Sequence, residues 1–397
     1  MNRNIEALYN IGGKQQRTII GLMSGTSFDG LDIAVCRFTG SGLDTKAEVS
    51  HFHTKEYGAF FKEEIKQVFA KQLTSLELIT LLNAKIGSYF GELILSSLEE
   101  WQISPAEIDL VASHGQTIYH APKHQHGLDG YPNATLQIGD GDHLAVKTGI
   151  ITFSDFRQKH IAAGGEGAPL AIYGDYLIFS SRSESRIMLN IGGIANFTYL
   201  PAGDSSGFFS SDVGPGNTLM DQFIQANYPG QYFDKNAALG SAGVINEVLL
   251  ETLFDHSFFR AGFPKTTGPE LFSLQYLKEA ITNSGQENIS NADIMATLVA
   301  FSAKGIITAI SACVSQHEKF EIYVSGGGMY NPLLVKRIEE WFGRALKSTS
   351  ELGIHPDAKE AVLFALLANE AVSGGNTFYG TDPGLPAVSM GKISFPG

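Results

Sequence analysis

The residues best equipped for chemistry lie in the first strong pattern of the chain, Ser24–Asp32 (SGTSFDGLD). Glycines let the backbone bend until several N–H groups point at one anion, and Ser24, Thr26 and Ser27 add hydroxyl donors. Asp29 and Asp32 bring carboxylates suited to Mg²⁺, directly or through water. The expected chemistry is phosphate binding beside a metal; a plain tight turn is the competing reading. Neither GxxxxGK[ST] nor GxGxxG occurs, so a P-loop and a dinucleotide fingerprint are both unsupported.

Other candidates follow along the chain. Asp212 stands beside a Gly-Pro-Gly turn in SDVGPGNTLMD, where a fixed carboxylate suits a general base; capping the next helix is an equal alternative, shared with Asn217. In SDFRQKHIAAGGEGAPL, Arg157 has the fork that grips a carboxylate or phosphate, and Asp155 with Arg157 equally reads as a lobe-bridging ion pair, the commoner fate of such a pair. His114-Gly115-Gln116-Thr117 follows a short buried strand, at the edge where open α/β sheets take ligands. Ligand contact is expected of Gln116 and Thr117, and burial against backbone of His114. Gly192 and Gly193 read as a second glycine turn inside Asn190–Asn196 or simply as a bulge or close strand packing, and Gly326, Gly327 and Gly328 precede a helix in a way that suits close approach of a ribose or adenine or merely a tight strand–helix connection. His120, His124 and His126 share one loop with no ligand spacing for a metal, so they read as solvated.

The elements that must position these groups are legible from pattern. Thr18–Met23 and Leu31–Phe38 read as the two arms of a β-hairpin around the first glycine turn. Ile187–Leu200 repeats that unit, and Phe320–Val324 is a third strand running into the three glycines. Leu76–Leu98 fits one or two amphipathic helices. Ser104-Pro-Ala-Glu107 has the form of a capping box, and Asn331 with Pro332 the form of a helix start. Asp357–Val372 is apolar almost all round, so a buried helix is expected. Residues 1–16 read as a loose extension, and the stretch from Ser373 as irregular. The recurring hairpin implies a duplicated α/β architecture of two lobes with a cleft between them. The expected division gives residues 1–182 with 360–397 to an N-terminal lobe and 183–359 to a C-terminal lobe.

Bulk properties narrow the class. A chain of 397 residues is comfortable as two α/β domains. With 28 basic against 41 acidic side chains, the formal charge of −13 repels nucleic acid and anionic membrane. Only 17% of residues are charged, which fits extensive burial or an oligomer. Cys36 and Cys313 sit in apolar runs and read as buried thiols. No signal peptide and no uninterrupted membrane-spanning run is expected, hence a cytoplasmic protein.

Taken in order, GLMSGTSFDGLD, SHGQTIYH, LQIGDGDHLA, SDFRQKHIAAGGEGAPL, LNIGGIANFT, DVGPGNTLMD, PKTTGPELF and VSGGGMYNP resemble the anhydro-N-acetylmuramic acid kinase family from Thr18 to about Asn369. The resemblance implies the two-lobed, actin-like ATPase (duplicated ribonuclease H-like) sugar kinase fold. It also implies an ATP- and Mg²⁺-dependent reaction of peptidoglycan recycling, in which the anhydro sugar and water give N-acetylmuramic acid 6-phosphate, and a homodimer. Carried over, Gly25, Thr26, Ser27, Phe28, Asp29, Gly30, Leu31 and Asp32 would bind ATP phosphates and metal. Asp212 would be the base, and Gly326–Gly328 would lie near the adenosine. Gln116, Thr117, Arg157, Asp155 and His160 would belong to the sugar site. The sequence departs from the family pattern at His160, where an acid is usual, and at Glu166, where Gln is usual; His160 in the pocket would add a pH response near neutrality. A kinase for another amino sugar, a sugar- or nucleotide-sensing protein without turnover, and an assembling ATPase are the alternatives, the last disfavoured by the sugar-directed blocks HGQT and GGEGAPL.

Overall fold

The computed structural model describes residues 1–203, 207–268, 270–314, 319–374 and 385–397. Among them twelve strands, numbered in chain order, are β1 (Gln16–Ser24), β2 (Gly30–Thr39), β3 (Lys46–Glu56), β4 (Leu110–Ala121), β5 (Ala134–Ile138), β6 (Thr152–Ser154), β7 (Ser185–Ile191), β8 (Ile194–Leu200), β9 (Phe209–Pro215), β10 (Phe320–Ser325), β11 (Lys347–Ser348) and β12 (Lys392–Ser394). The chain divides into two compact units, Met1–Ile178 with Gly353–Gly397, and Phe179–Leu352.

In the first unit the sheet runs β12-β6-β4-β1-β2-β3, with β5 added to the outer half of β4. The antiparallel meander β1-β2-β3 is joined by β4 parallel to β1 and β6 parallel to β4. Side-chain alternation on β1 builds two layers. Ile20 and Leu22 enter a core with Ile86, Phe90 and Ile94 of the helix Leu76–Glu100. Gly21 lies under the helix Lys359–Ser373, where a Cβ would come within 1.9 Å of the Ala361 carbonyl oxygen. That helix is buried without interruption from Ala361 to Glu370, as its apolar circumference requires.

The second unit repeats the scheme with different residues. Its sheet runs β11-β10-β7-β8-β9: an antiparallel meander β7-β8-β9, then β10 parallel to β7 and β11 parallel to β10. The helix Asn291–Cys313 supplies the centre of its core through Met295, Leu298, Val299, Phe301, Ile306 and Ile310.

Several expectations are revised. Residues Arg3–Gly13 are a helix rather than a loose extension; Asn2 caps it, it packs on Lys359–Ser373, and Arg3 and Asn4 bond the carbonyls of Gly397 and Pro396. The strand ahead of His114 does not end there: β4 continues through His114-Gly-Gln-Thr to Ala121 because β5 pairs with its second half. Leu76–Glu100 and Asn291–Cys313 are each long and apolar enough to cross a membrane by length and composition, which counting uninterrupted apolar runs had missed. Residues 375–384 of the C-terminal stretch expected to be irregular lie outside the described residues. The capping box at Ser104 and Glu107 forms, in a 3₁₀ turn, and Asn331 caps Pro332–Phe342. Of the two cysteines, Cys36 is buried and Cys313 partly so.

Candidate active site

The first hairpin is a rigid frame under an exposed tip. Its tip is Gly25–Asp29, with Thr26, Ser27 and Asp29 exposed. Ser24 is buried and bonds both the Tyr57 hydroxyl (2.7 Å) and the Gln116 carbonyl oxygen (2.5 Å). Gln116 closes the frame by donating to the Gly25 carbonyl at 3.3 Å, and the Tyr57 amide bonds the Asp29 carbonyl at 3.0 Å. Phe28 takes a left-handed backbone (φ +60) and turns its ring into the core against Phe69, centroids 4.8 Å apart. Leu31 is likewise fully buried. The side chains of Phe28, Leu31 and Gln116 are therefore structural, and of Phe28 and Leu31 only the backbone is left for a ligand. Gly30 is required by its neighbour strand, since a Cβ there would meet the Lys55 carbonyl oxygen at 2.4 Å.

Asp32, two residues into β2, is half-buried and accepts from Thr54 Oγ1 at 2.5 Å. Burial pushes its carboxyl up to about 6 against the pull of that hydroxyl, and Glu360, Asp357 and Asp29 push it further. A carboxylate crowded by three others is one that a cation relieves. Glu360 stands at the start of Lys359–Ser373; protein around it raises its carboxyl although the side chain reaches solvent, and Arg157 and Lys359 pull it back. Sequence reasoning missed Glu360 because it looks like the polar first turn of a buried helix, and nothing local links it to Asp32 or Arg157.

Arg157 donates from Nε to His114 Nε2 and from Nη1 to the Gly167 carbonyl, both at 2.9 Å. Thr117 accepts from the Gln137 amide at 3.0 Å on the neighbouring strand. Two other residues expected in the sugar site are engaged by neighbours within the protein. Asp155 pairs with Lys392 of β12, within its own unit, so it is neither paired with Arg157 nor the lobe-bridging ion pair weighed for it. His160 is 1% exposed and lies beneath the glycine loop, where its Nδ1 accepts the Gly167 amide at 2.9 Å and a Cβ on Gly165 would strike its ring at 2.1 Å. It shapes the loop from below. In the histidine loop, His124 lies 3.4 Å from Glu166, which couples two positions read separately in the sequence.

In the second unit, the turn Gly192–Gly193 is braced by the segment that follows β9. The amides of Gly216 and Thr218 bond the Gly193 carbonyl (2.9 and 3.0 Å), and that of Asn217 bonds Gly192 (2.8 Å). Asp212 on β9 pairs with Asn196 beside a bulge. Its Oδ2 accepts the Thr267 amide at 2.8 Å, and among the described residues Oδ1 has no hydrogen-bond partner. Burial pushes its carboxyl up to about 6, opposed by that amide and assisted by Glu270. A carboxyl with that pKa is largely ionised at neutral pH and can accept a proton there. Asp212 is not a helix cap. Gly326 (φ +83) and Gly328 are both pressed on the end of β7, where a Cβ would meet Asn190 Oδ1 at 2.6 Å and Ile191 Cγ2 at 2.2 Å respectively; Gly327 has open space to 3.6 Å. Among the described residues no group of three or more His, Cys, Asp or Glu is arranged to hold a metal.

One sheet order, a three-stranded antiparallel meander followed by two parallel strands, occurs in each unit with a glycine turn between its first two strands. That repeat defines an α/β protein of two mixed sheets. The family model described as anhydro-N-acetylmuramic acid kinase matches residues 17–388. Curated relatives of that name include one from Pseudoalteromonas atlantica, 53% identical over 100% of both chains, and one from Caldanaerobacter subterraneus subsp. tengcongensis, 37% identical over 98% of this chain and 100% of its own. Solved structures with a similar course include an activator of the 2-hydroxyisocaproyl-CoA dehydratase from Clostridium difficile (TM-score 0.39, 12% identity, 89% of this chain and 95% of that one). A ROK family glucokinase from Streptomyces griseus is another (TM-score 0.34, 12% identity, 88% and 98%). The chain belongs to the anhydro-N-acetylmuramic acid kinase family. It is accordingly a kinase acting on an amino sugar in peptidoglycan recycling, and ATP follows from that activity.

Proposed function

We propose that Asp212 is the base of a reaction in which 1,6-anhydro-N-acetylmuramic acid, water and ATP give N-acetylmuramic acid 6-phosphate and ADP. The observation that carries this reading is the Asp212 carboxyl itself, held through Oδ2 by one backbone amide and raised to about 6 by burial. Water gives a proton to Asp212 Oδ1 while its oxygen bonds the anomeric carbon. The C1–O6 bond breaks with its electron pair passing to O6, which bonds the γ-phosphorus as the β–γ bridging P–O bond breaks and ADP departs. The water oxygen ends as the anomeric hydroxyl, and Asp212 returns its proton to solvent. Positioning and charge stabilisation supply most of such a rate.

In this reading the backbone of Gly25–Asp32 and the hydroxyls of Thr26 and Ser27 take ATP phosphates, with Gly192 and Gly193 as further phosphate contacts. Gly327 is the member of its triplet with room beside a nucleoside. Asp29 and Asp32 hold Mg²⁺; one or two carboxylates plus phosphate oxygens and water are how that ion is usually bound, and the crowding around Asp32 fits a cation. When bound, Mg²⁺ neutralises charge on the transferring phosphate. Arg157 grips the carboxylate of the sugar acid and Thr117 a sugar hydroxyl. The working form is a cytoplasmic homodimer, supported by the family resemblance and by the low charged fraction of 17%; light scattering of the purified chain tests it.

The test is a turnover in H₂¹⁸O with authentic sugar, ATP and Mg²⁺, read by mass. The expected product is 2 Da heavier, with the label on the anomeric oxygen and none in the phosphate. Label in the phosphate, or ADP release without sugar, refutes the reading.

A further inference from the structure

His114 is 2% exposed and sits on β4 just before the left-handed Gly115. A buried imidazole needs partners for its ring nitrogens, and here the partners dictate its state. Nδ1 lies 2.9 Å from the Gly115 carbonyl oxygen, which can only accept, so Nδ1 carries the hydrogen. Nε2 lies 2.9 Å from Arg157 Nε, whose N–H can only donate, so Nε2 presents its lone pair. Those two bonds are compatible with one neutral tautomer and with no other protonation state. The ring also rests on Phe364 with centroids 4.7 Å apart, which restrains its rotation. Burial and the Arg157 charge both hold the imidazole well below its usual pKa, in keeping with that assignment.

Arg157 has five N–H donors in a planar fork. One on Nε goes to His114 and one on Nη1 to Gly167. Three remain on Nη1 and Nη2, enough for a two-point grip on a carboxylate. A free arginine side chain would lose considerable rotamer freedom on binding an anion; one already pinned at two points loses less.

We propose that His114 is a positioning residue: its neutral imidazole holds Arg157 in the orientation that captures the carboxylate of the sugar acid. It thereby sets the preference for an acidic anhydro sugar over the same ring without the acid. This rests on the reading that Arg157 binds the substrate. His114 touches no reacting atom and acts only through the guanidinium.

The experiment is steady-state kinetics of the full chain at saturating ATP for His114→Phe, His114→Gln, Arg157→Ala and the double variant His114→Phe/Arg157→Ala. Phe keeps the aromatic contact and removes the acceptor; Gln returns an acceptor within reach of Nε2. His114→Phe is expected to raise the sugar KM by roughly 10- to 100-fold, the usual cost of losing a charged hydrogen bond, with the ATP KM unchanged. Gln should recover most of that loss, and the double variant should be no worse than Arg157→Ala alone. A full additional effect in the double variant, or Gln no better than Phe, overturns the proposal. An unchanged sugar KM in Arg157→Ala instead overturns the parent reading of Arg157. If His114→Phe does not fold, the side-chain ¹⁵N–¹H spectrum of the unaltered protein decides. A neutral Nδ1–H ring whose Nε2 signal moves in Arg157→Ala supports the proposal, and an Nε2–H or charged ring rejects it.

Discussion

Asp32 and Asp212 are both carboxyls pushed up to about 6, one in each unit, and they reach that value by different routes. Burial is the largest cause for each. At Asp32 three further acids, Glu360, Asp357 and Asp29, add their repulsion, while at Asp212, among the described residues, Glu270 alone does. Asp32 is held by a side-chain hydroxyl, Asp212 by a backbone amide that fixes Oδ2. Repulsion from several anions is relieved by any cation, whereas desolvation of one anchored carboxylate is relieved by a proton. Equal acidity thus arises from two different surroundings, and in the proposed reaction the crowded Asp32 is the metal ligand and the anchored Asp212 the proton acceptor.

Substitution by the uncharged amide separates the two roles. Asp212→Asn removes the proton acceptor and is expected to lower kcat by roughly a hundredfold or more, with the affinity for Mg²⁺ and ATP measured by calorimetry left near that of the parent. Loss of nucleotide binding together with turnover would make Asp212 a binding residue. Asp32→Asn should act on metal instead. The Mg²⁺ concentration giving half-maximal rate should rise about tenfold, the loss expected for weakening one ionic contact by about 1.4 kcal/mol, and much of the rate should return at high Mg²⁺. A rate that stays low at any Mg²⁺ concentration would place Asp32 with the base rather than with the metal.

The two sites were not equally legible. The first hairpin announces itself through SGTSFDGLD, since glycine, hydroxyl and carboxylate lie within nine consecutive residues and the local geometry follows from them. Asp212 is visible only as an acid beside a turn, because what tunes it comes from elsewhere in the chain: burial and the charge of Glu270 raise it, and the amide of Thr267 opposes them. Glu360 was invisible for the same reason. His160 misled because burial is a property of the fold; the sequence shows a histidine in a glycine-rich segment, and only the close approach of Gly165 puts it underneath. At the N-terminus, Leu8 and Ile11 have helical spacing, but the helix they belong to packs on Lys359–Ser373, more than three hundred residues away. Short-range pattern therefore recovers turns, hairpins and caps, and it misses whatever depends on a distant neighbour.

The pH response sharpens the contrast further. A base with a pKa of about 6 is ionised above that value, so kcat/KM of the unaltered enzyme should fall on the acid side and reach roughly a tenth of its plateau at pH 5. The measurement is made at saturating Mg²⁺, where metal suppresses any contribution from Asp32. An acid limb centred near 4 would return Asp212 to ordinary carboxylate behaviour and deprive it of its special environment.

Stability supplies the smallest effect. Folding raises the Asp212 carboxyl from an ordinary 3.8 to about 6, so between those values the native state binds more protons than the unfolded one. Stability from this group is therefore fully present below about 3.8 and lost as pH rises through 6, which means the ionised carboxylate costs the native state at neutral pH. Asn has nearly the same shape, still accepts the Thr267 amide through its carbonyl oxygen, and carries no charge to desolvate. Asp212→Asn should accordingly be more stable than the parent by roughly 1–2 kcal/mol at pH 7.5, and the gain should vanish when both are measured near pH 4. Denaturant titration at the two pH values makes the comparison, with the unchanged m-value as evidence that the same transition is being read. A variant that is less stable at pH 7.5 would mean that the carboxylate has an attractive partner in the native state, and the origin of its proton affinity would have to be sought in something other than burial.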